Sequence, residues 1–372
     1  MSIDLTGLPP MDVAGRLPRL RERFGDAGID ALVVTSQASI RYLTGFTGSA
    51  GMLLVGPDTA LLLTDGRYRT QSAEQTAAAG VPADIEIGRP PEQREVLGKA
   101  AGAYARVGLE AEHVSWAGQQ ALAGALGAGP ELVATTGLCE ALRRVKDDGE
   151  LARMQAAADV ADAALAAVRP LLLGGVTEAE LALALDHEMR RLGADDRAFE
   201  TIVASGPNGA RPHARPTGRR IGEGDLVVVD FGARVDGYCS DMTRTLCIGE
   251  PGSAVLGAVV EVVAASQAAG IGAVKAGVEA AEVDRACREV IASAGWADVF
   301  VHGTGHGVGL DVHEAPAVGV TSTDTLEGSS VVTVEPGVYL PGHGGARIED
   351  TVVVTAEGCR ALTRAGKELV VG

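Results

Sequence analysis

Apolar positions in the first 140 residues fall into short strand-like runs separated by stretches with helical spacing. Leu17, Leu20 and Phe24 recur at helical intervals with arginines between them, which predicts an amphipathic helix over 11–28. The run at 31–35 (ALVVT) predicts a short buried strand. Met52–Val55 and Ala60–Thr64 predict two more, joined at the turn signal Gly56-Pro57-Asp58. RYLTGF at 41–46 leads into a Gly/Ser loop, and Asp65-Gly66-Arg67-Tyr68 closes the third strand. Further helices are expected after Tyr68, over 94–103 and over 115–126, with strands at 85–87 and 106–109. This alternation implies a small α/β domain on a mixed sheet.

Residues 140–168 are Ala-rich, charged and helical in pattern, interrupted by the polar Lys146-Asp147-Asp148-Gly149-Glu150. The domain junction is therefore expected at 143–150, with a first domain at 1–143 and a second at 150–372. A helix over 181–192 is entered through Thr177-Glu178-Ala179-Glu180, a capping box with Thr177 as cap and Glu180 at the third helical position. From Phe199 the pattern turns to strands and Gly-rich turns, two helices return between 254 and 294, and strands then dominate. The second domain thus reads helix, helix, strands, twice over. That order predicts an α+β domain of two similar halves packed on one sheet, although no repeat of identical residues is visible.

The formal net charge of −17 excludes non-specific nucleic-acid binding, which relies on Lys and Arg neutralising phosphates. The N-terminal stretch has no apolar core of leader-peptide length, so secretion is not expected. The most apolar segment, 254–274, is interrupted by Glu261, Ser266, Gln267 and glycines, which favours a buried Ala-rich helix over a membrane span. The five cysteines form no CxxC pair and fit reduced thiols in a cytoplasm.

The chemistry starts at 226–246, LVVVDFGARVDGYCSDMTRTL, where Asp230 and Asp241 sit within or beside β-branched runs. A carboxylate among valines is costly to bury without a partner. Downstream lie His306 in a glycine-rich segment, Glu335 at the end of VVTVE, and Glu349 at the start of another strand. Two carboxylates about 4 Å apart repel by roughly 4 kcal/mol at an effective dielectric near 20. Four in one pocket could not all stay ionised without cations, and two divalent metals supply them. An oxygen-rich set with one nitrogen favours Mn²⁺, Co²⁺ or Fe²⁺ over a thiolate-type zinc site. Read singly, each residue is more often a cap, an ion-pair partner or a structural hydrogen-bonder than a ligand, and the residues alone leave open whether the five form one site.

DFGARVDGYCSDMTRT, HGTGHGVGLDVHE, VEPGVY and GGARIEDTV, in that order, resemble the metallopeptidases of the "pita-bread" fold, the M24 family, which include methionine aminopeptidase, aminopeptidase P, prolidase and creatinase. RYLTGFTGSAG and TDGRYRTQ resemble the creatinase-type N-terminal domain, which points to the Xaa-Pro peptidase branch. The resemblance implies that Asp230, Asp241, His306, Glu335 and Glu349 bind two divalent ions. Asp241 and Glu349 would bridge them, Asp230 would serve one, and His306 and Glu335 the other. Mn²⁺ is the expected ion, with Co²⁺, Fe²⁺ or Zn²⁺ as alternatives. The resemblance also makes Glu335 a proton acceptor, His213 a substrate-binding group near the scissile bond, and His313 a group that stabilises the tetrahedral intermediate or shuttles a proton. His302, Tyr339 and Arg347 match supporting or substrate-side positions. His187 is expected on the surface, and His343 in a loop at the pocket rim.

The implied reaction is metal-assisted hydrolysis of the bond before proline, in dipeptides or at the N-terminal end of peptides. Arg211, Arg215 and Arg347 are candidates for binding a dipeptide's free carboxylate. The family resemblance implies a homodimer in which a partner's first domain closes the pocket, with Tyr42, Phe46, Arg67 and Tyr68 as contributors. Core packing is the favoured reading of those aromatics. Competing functions are a creatinase-like amidinohydrolase, which works without the metal set, a non-catalytic binding protein on the same fold, and a metal-buffering acidic protein.

Overall fold

The computed structural model describes residues 7–127 and 129–371 and divides into two compact units. Residues 1–6, part of the stretch read as lacking a leader, lie outside the described residues. The first unit is Met11–Arg143; the second takes the chain from Arg144 onward together with the described residues before Met11.

In the first unit the helix predicted over 11–28 is two short ones, α1 (Arg16–Arg21) and α2 (Phe24–Ala27). A helix starting at residue 11 would place Pro18 in its interior, where the missing N–H breaks the ladder. Gly28 closes α2 in the left-handed region at φ 63°. The strand β1 (Ala31–Val34) leads into α3 (Gln37–Thr44), a helix the sequence reading did not anticipate. Ser36 caps it by accepting from the Ser39 N–H, and Gly45 ends it at φ 76°. β2 (Met52–Val55), β3 (Ala60–Thr64), α4 (Arg69–Ala78), β4 (Asp84–Ile87) and α5 (Pro90–Ala101) follow. α5 begins earlier than expected because Pro90 and Pro91 occupy the first helical positions, where an N–H is not needed. β5 (Arg106–Glu110), α6 (Trp116–Leu126), β6 (Glu131–Thr135) and α7 (Leu138–Arg143) complete the unit.

The sheet order is β4-β3-β2-β1-β5-β6, with β1 antiparallel to β2 and parallel to β5, a mixed sheet as predicted. Val33, Leu54, Leu63, Leu97 and Val107 form its core. Tyr42 and Phe46 are buried within this unit. The Arg16 guanidinium lies 4.0 Å over the Tyr42 ring, and the Tyr42 hydroxyl donates to the Leu142 carbonyl at 3.0 Å.

The second unit opens with α8 (Asp148–Val168), whose capping box, Asp147 with Glu150, splits the helical stretch predicted over 140–168. α9 (Glu178–Leu192) starts at the expected Thr177–Glu180 box. β7 (Asp196–Arg197), β8 (Ile202–Ser205), β9 (Leu226–Phe231), β10 (Ala233–Val235), β11 (Tyr238–Cys239) and β12 (Met242–Ile248) make up the first half. β9 and β12 are antiparallel, with Asp230 opposite Thr243. Asp236 and Gly237, at φ 42° and 74°, turn the small β10–β11 hairpin between them. The second half holds α10 (Ala254–Ala273), α11 (Ala280–Ser293), β13 (Gly305–Gly307), β14 (Glu314–Val318), β15 (Val331–Val334), β16 (Gly337–Leu340), β17 (Gly344–Arg347), β18 (Asp350–Val354), β19 (Cys359–Ala361) and β20 (Val370–Val371). By length and composition α10 could cross a membrane; here it lays Leu256, Val259, Val263 and Gly270 onto a core shared with α11.

The two halves do not share one sheet, contrary to expectation. The strands form β20-β12-β9-β8 and β14-β13-β15-β18-β19, with two smaller sheets, β11-β10-β7 and β16-β17. Pro336 has no N–H to prolong the β15 ladder. The Glu349 N–H instead donates to the Thr243 carbonyl at 3.1 Å, one of several bonds that join the two larger sheets.

Strand parity then fixes what faces what. Val227, Val229 and Phe231 of β9 pack in one core with Val160, Leu185 and Met189 of α8 and α9. Val332 and Val334 of β15, with Val352 and Val354 of β18, pack in another with Val259, Val263 and Val283 of α10 and α11. The opposite parity carries Asp230, Thr243 and Thr333, and continues past the strand ends to Asp241, Glu335 and Glu349.

Candidate metal centre

These residues meet in a cavity of about 560 Å³ whose walls include Asp230, Asp241, His302, His306, His313, His213, Glu335, Arg347 and Glu349. Donor atoms of Asp241, His306 and Glu349 all lie within 4.8 Å of one another. His306 Nε2 is 3.3 Å from Glu335 Oε1 and 3.6 Å from Asp241 Oδ2. Its Nδ1 sits 3.0 Å from the Gly307 carbonyl, an obligate acceptor. In the neutral ring that contact assigns the proton to Nδ1 and leaves the Nε2 lone pair facing the carboxylates.

The residues fit a cation site on two grounds. Asp230 Oδ1 and Glu349 Oε1 are buried with no hydrogen-bond partner among the described residues. Burial, reinforced by the neighbouring carboxylates, pushes Asp241 and Glu349 well above the usual carboxylate range. Asp230 is also raised, by burial first, although Arg347 opposes the shift. Like charges gathered out of water are what a cation relieves. Glu335 goes the other way. Burial favours its neutral form, but the hydrogen bond and charge of His306, together with Arg347, outweigh burial and lower it. Burial lowers His302 and His313, the latter helped by His306, whose ring centroid is 4.2 Å away.

Tyr339 and Arg347 support the site from behind. Arg347 Nη2 donates to Asp230 Oδ2 at 2.5 Å, and Nη1 donates to the Tyr339 hydroxyl at 2.8 Å and the Pro212 carbonyl at 3.1 Å. Nε donates to Thr243 Oγ1 at 3.1 Å. The side chain of Arg347 is only 2% exposed, and these four bonds hold it inside the protein. Arg215, by contrast, lines the cavity and is exposed. The Tyr339 hydroxyl also lies 2.8 Å from His302 Nε2, but Tyr339 does not line the cavity. His187 is exposed, as predicted. His343 is a correction: it is exposed in the β16–β17 turn, its Nδ1 3.1 Å from the Pro341 carbonyl, and it does not reach the cavity wall. Gly342, in the left-handed region, lets the tight turn carry it outward.

Several positioning residues were not anticipated. Thr243 Oγ1 donates to Glu349 Oε2 at 2.7 Å, and Thr333 Oγ1 accepts from the His306 N–H at 3.1 Å. Asp284 accepts from the N–H and hydroxyl of Thr304, at 3.1 and 2.9 Å, and so anchors the strand entry before His306. Glu178, fully buried, accepts from the N–H and hydroxyl of Ser205, from Asn208 and from the N–H and hydroxyl of Thr217. It thereby ties together both ends of the loop that carries His213. Strand parity could have flagged the two threonines. No local signal marks Glu178, which reads only as a first-turn acid.

The fold and this donor set are those of a metal-dependent hydrolase. Residues 152–356 match Metallopeptidase family M24, and residues 16–145 match the Creatinase/Prolidase N-terminal domain. The chain belongs to metallopeptidase family M24, and its second unit has the pita-bread fold. It is 40% identical to the "Uncharacterized peptidase YqhT" of Bacillus subtilis (strain 168), over 96% of this chain and 99% of that one. Among solved structures, the Xaa-Pro dipeptidase from Bacillus anthracis superposes with a TM-score of 0.90 at 37% identity, covering 96% of this chain and all of the other. The X-Pro aminopeptidase from Thermotoga maritima gives 0.85 at 35%, covering 94% and 99%.

Proposed function

We propose that this chain is a dinuclear metal-dependent peptidase that hydrolyses the Xaa-Pro bond, in dipeptides or at the N-terminal end of peptides. One observation carries the reading: the Nε2 of His306 converges with carboxylates that burial and mutual repulsion leave short of positive charge. The high similarity to proteins named Xaa-Pro dipeptidase and X-Pro aminopeptidase supports the substrate class.

In this proposal Asp241 and Glu349 would be shared by both ions, Asp230 would serve one, and His306 and Glu335 the other. Mn²⁺ suits the oxygen-rich set. When bound, the ions polarise the substrate carbonyl and lower the pKa of water. The chain's own residues do the rest. Glu335, the one of the four carboxylates held below its ordinary value and so kept ionised, accepts the proton of the attacking water. His313, largely neutral because burial lowers it, donates a hydrogen bond where oxyanion charge develops. His213, exposed on the cavity wall, binds the substrate beside the scissile bond. Arg347 holds Asp230, while His302 and Tyr339 fix the wall behind Glu335. Arg215 offers a dipeptide carboxylate a charge partner that Arg347, with its four bonds inside the protein, does not.

The working form is proposed to be a cytoplasmic homodimer, which the family resemblance and five free thiols support. The test is a panel of Xaa-Pro dipeptides, longer Xaa-Pro peptides and matched Xaa-Ala controls, with the chain stripped of metal and reloaded with Mn²⁺. Cleavage before proline only in the reloaded chain supports the reading, and the preferred length assigns dipeptidase or aminopeptidase. Equal activity after stripping, or no preference for proline, would overturn it.

A further inference from the structure

The first unit holds a second cluster of donors outside the M24 centre. β5 ends at Glu110, which is 6% exposed. Its Oε2 accepts from the N–H of Thr35 at 2.5 Å, the N–H of Ser36 at 2.9 Å and the Thr35 hydroxyl at 3.1 Å, which fixes the carboxylate at the entry to α3. Its Oε1 is buried and has no partner among the described residues. The chain turns tightly at once: the N–H groups of His113 and Val114 both donate to the Glu110 carbonyl, at 3.1 and 2.9 Å. That turn brings the His113 imidazole back beside the Glu110 side chain. Glu140, in the first turn of α7, closes the cluster with Oε1 2.8 Å from His113 Nε2. Donor atoms of the three residues lie within 4.8 Å of one another, and all three line one small cavity.

We propose that Glu110, His113 and Glu140 form a binding site for a divalent transition metal of the Zn²⁺ or Co²⁺ class. A His113–Glu140 pair and a loop-anchoring Glu110 account for every contact but one. They leave a buried carboxylate oxygen, already stripped of water, without a partner, and such groups are costly. A cation is the partner that oxygen lacks, and the same ion would take the imidazole lone pair and a Glu140 oxygen. Two carboxylates and one imidazole, with the remaining positions open to water, suit Zn²⁺ or Co²⁺; the nitrogen ligand disfavours Ca²⁺ and Mg²⁺. His113 keeps a third of its side-chain surface exposed, so an ion can enter from solvent. The ion would tie β5, the turn after it and α7 together.

The test uses the full chain with the M24 cluster disabled by Asp241→Asn, so that it is independent of the reading of that centre. The protein is equilibrated with micromolar Zn²⁺, and bound zinc per chain is counted with and without His113→Ala. His113 is the variant of choice because Glu110 anchors the fold through Thr35 and Ser36. Glu140→Gln provides a second, conservative arm. The expected result is one fewer Zn²⁺ per chain in each variant, with circular dichroism unchanged, and a Zn²⁺-induced rise in melting temperature that both variants diminish. Equal zinc content with and without His113→Ala, or a loss seen only together with unfolding, would overturn the proposal.

Discussion

Glu349 and Asp350 are consecutive, both buried, and surrounded in opposite ways. Asp350 points to the α10–α11 side. Its Oδ1 accepts from Arg244 at 2.8 Å and Thr363 at 3.1 Å, and its Oδ2 pairs with Lys367 at 2.6 Å and accepts from Gln267 at 3.1 Å. Glu349 points to the cavity. One oxygen accepts from Thr243 at 2.7 Å; the other has no partner among the described residues and faces a pocket of further carboxylates. The difference separates two uses of a buried acid. Asp350 is completed by the protein and holds the fold, whereas Glu349 is left incomplete and asks for a cation.

Substitutions should split along the same line. The largest effect on catalysis is expected from Asp241→Asn or Glu349→Gln, which should bring metal-supported peptidase turnover below detection while leaving the unfolding midpoint of the metal-free chain no lower. Glu335→Gln should cost about 10²–10⁴-fold in kcat, the range for losing a general acid–base group. Asp350→Asn should do the reverse. Breaking its pair with Arg244, 1% exposed, should destabilise the second unit by about 3–5 kcal/mol in denaturant titration, with near-normal turnover per folded molecule. If Asp350→Asn silenced activity without loss of stability, the contrast between the two acids would fail.

Glu178 sharpens the comparison, because it is as fully partnered as Asp350 yet lies behind a substrate loop. Glu178→Gln should lower kcat/KM by about 10–100-fold, the range for groups that orient an active residue. Burial alone would raise this carboxyl, but hydrogen bonds from Thr217 and Ser205 prevail and hold it below the ordinary 4.5. Its contribution to stability is therefore full above about pH 4.5 and is lost as the pH falls through the lower folded value. Acid melts should show wild type losing stability over that window more steeply than Glu178→Gln. The smallest effect is expected from Arg215→Ala. Arg215 is exposed and lies 3.5 Å from Glu200, so its loss should move stability by less than about 1 kcal/mol while raising KM for Xaa-Pro dipeptides but not for longer peptides.

Much of the site was legible because strand parity is strict. In LVVVDF and VVTVE the valines of one parity face the helices, so Asp230 and Glu335 can only face away from them. Asp241 and Glu349 follow the same parity just outside their strands. What was hidden depends on contacts between distant segments. Thr243 and Glu349 meet only because bonds such as that from the Glu349 N–H to the Thr243 carbonyl join two sheets that the alternating pattern could not separate. Glu178 becomes central only when Ser205 and Thr217 close around it. The helix Gln37–Thr44 was overlooked although Ser36 and Gly45 mark both of its ends, whereas the core packing favoured for Tyr42 and Phe46 is what the first unit shows.

The most direct test of the incomplete-acid account is thermal unfolding of wild type and Glu349→Gln, each measured free of metal and again with Mn²⁺. The account predicts that the metal-free Gln variant unfolds at or above the wild-type temperature, since a repelling charge has gone. It also predicts that Mn²⁺ raises the wild-type midpoint strongly and the variant's little. A variant less stable than wild type without metal, yet stabilised equally by Mn²⁺, would contradict it.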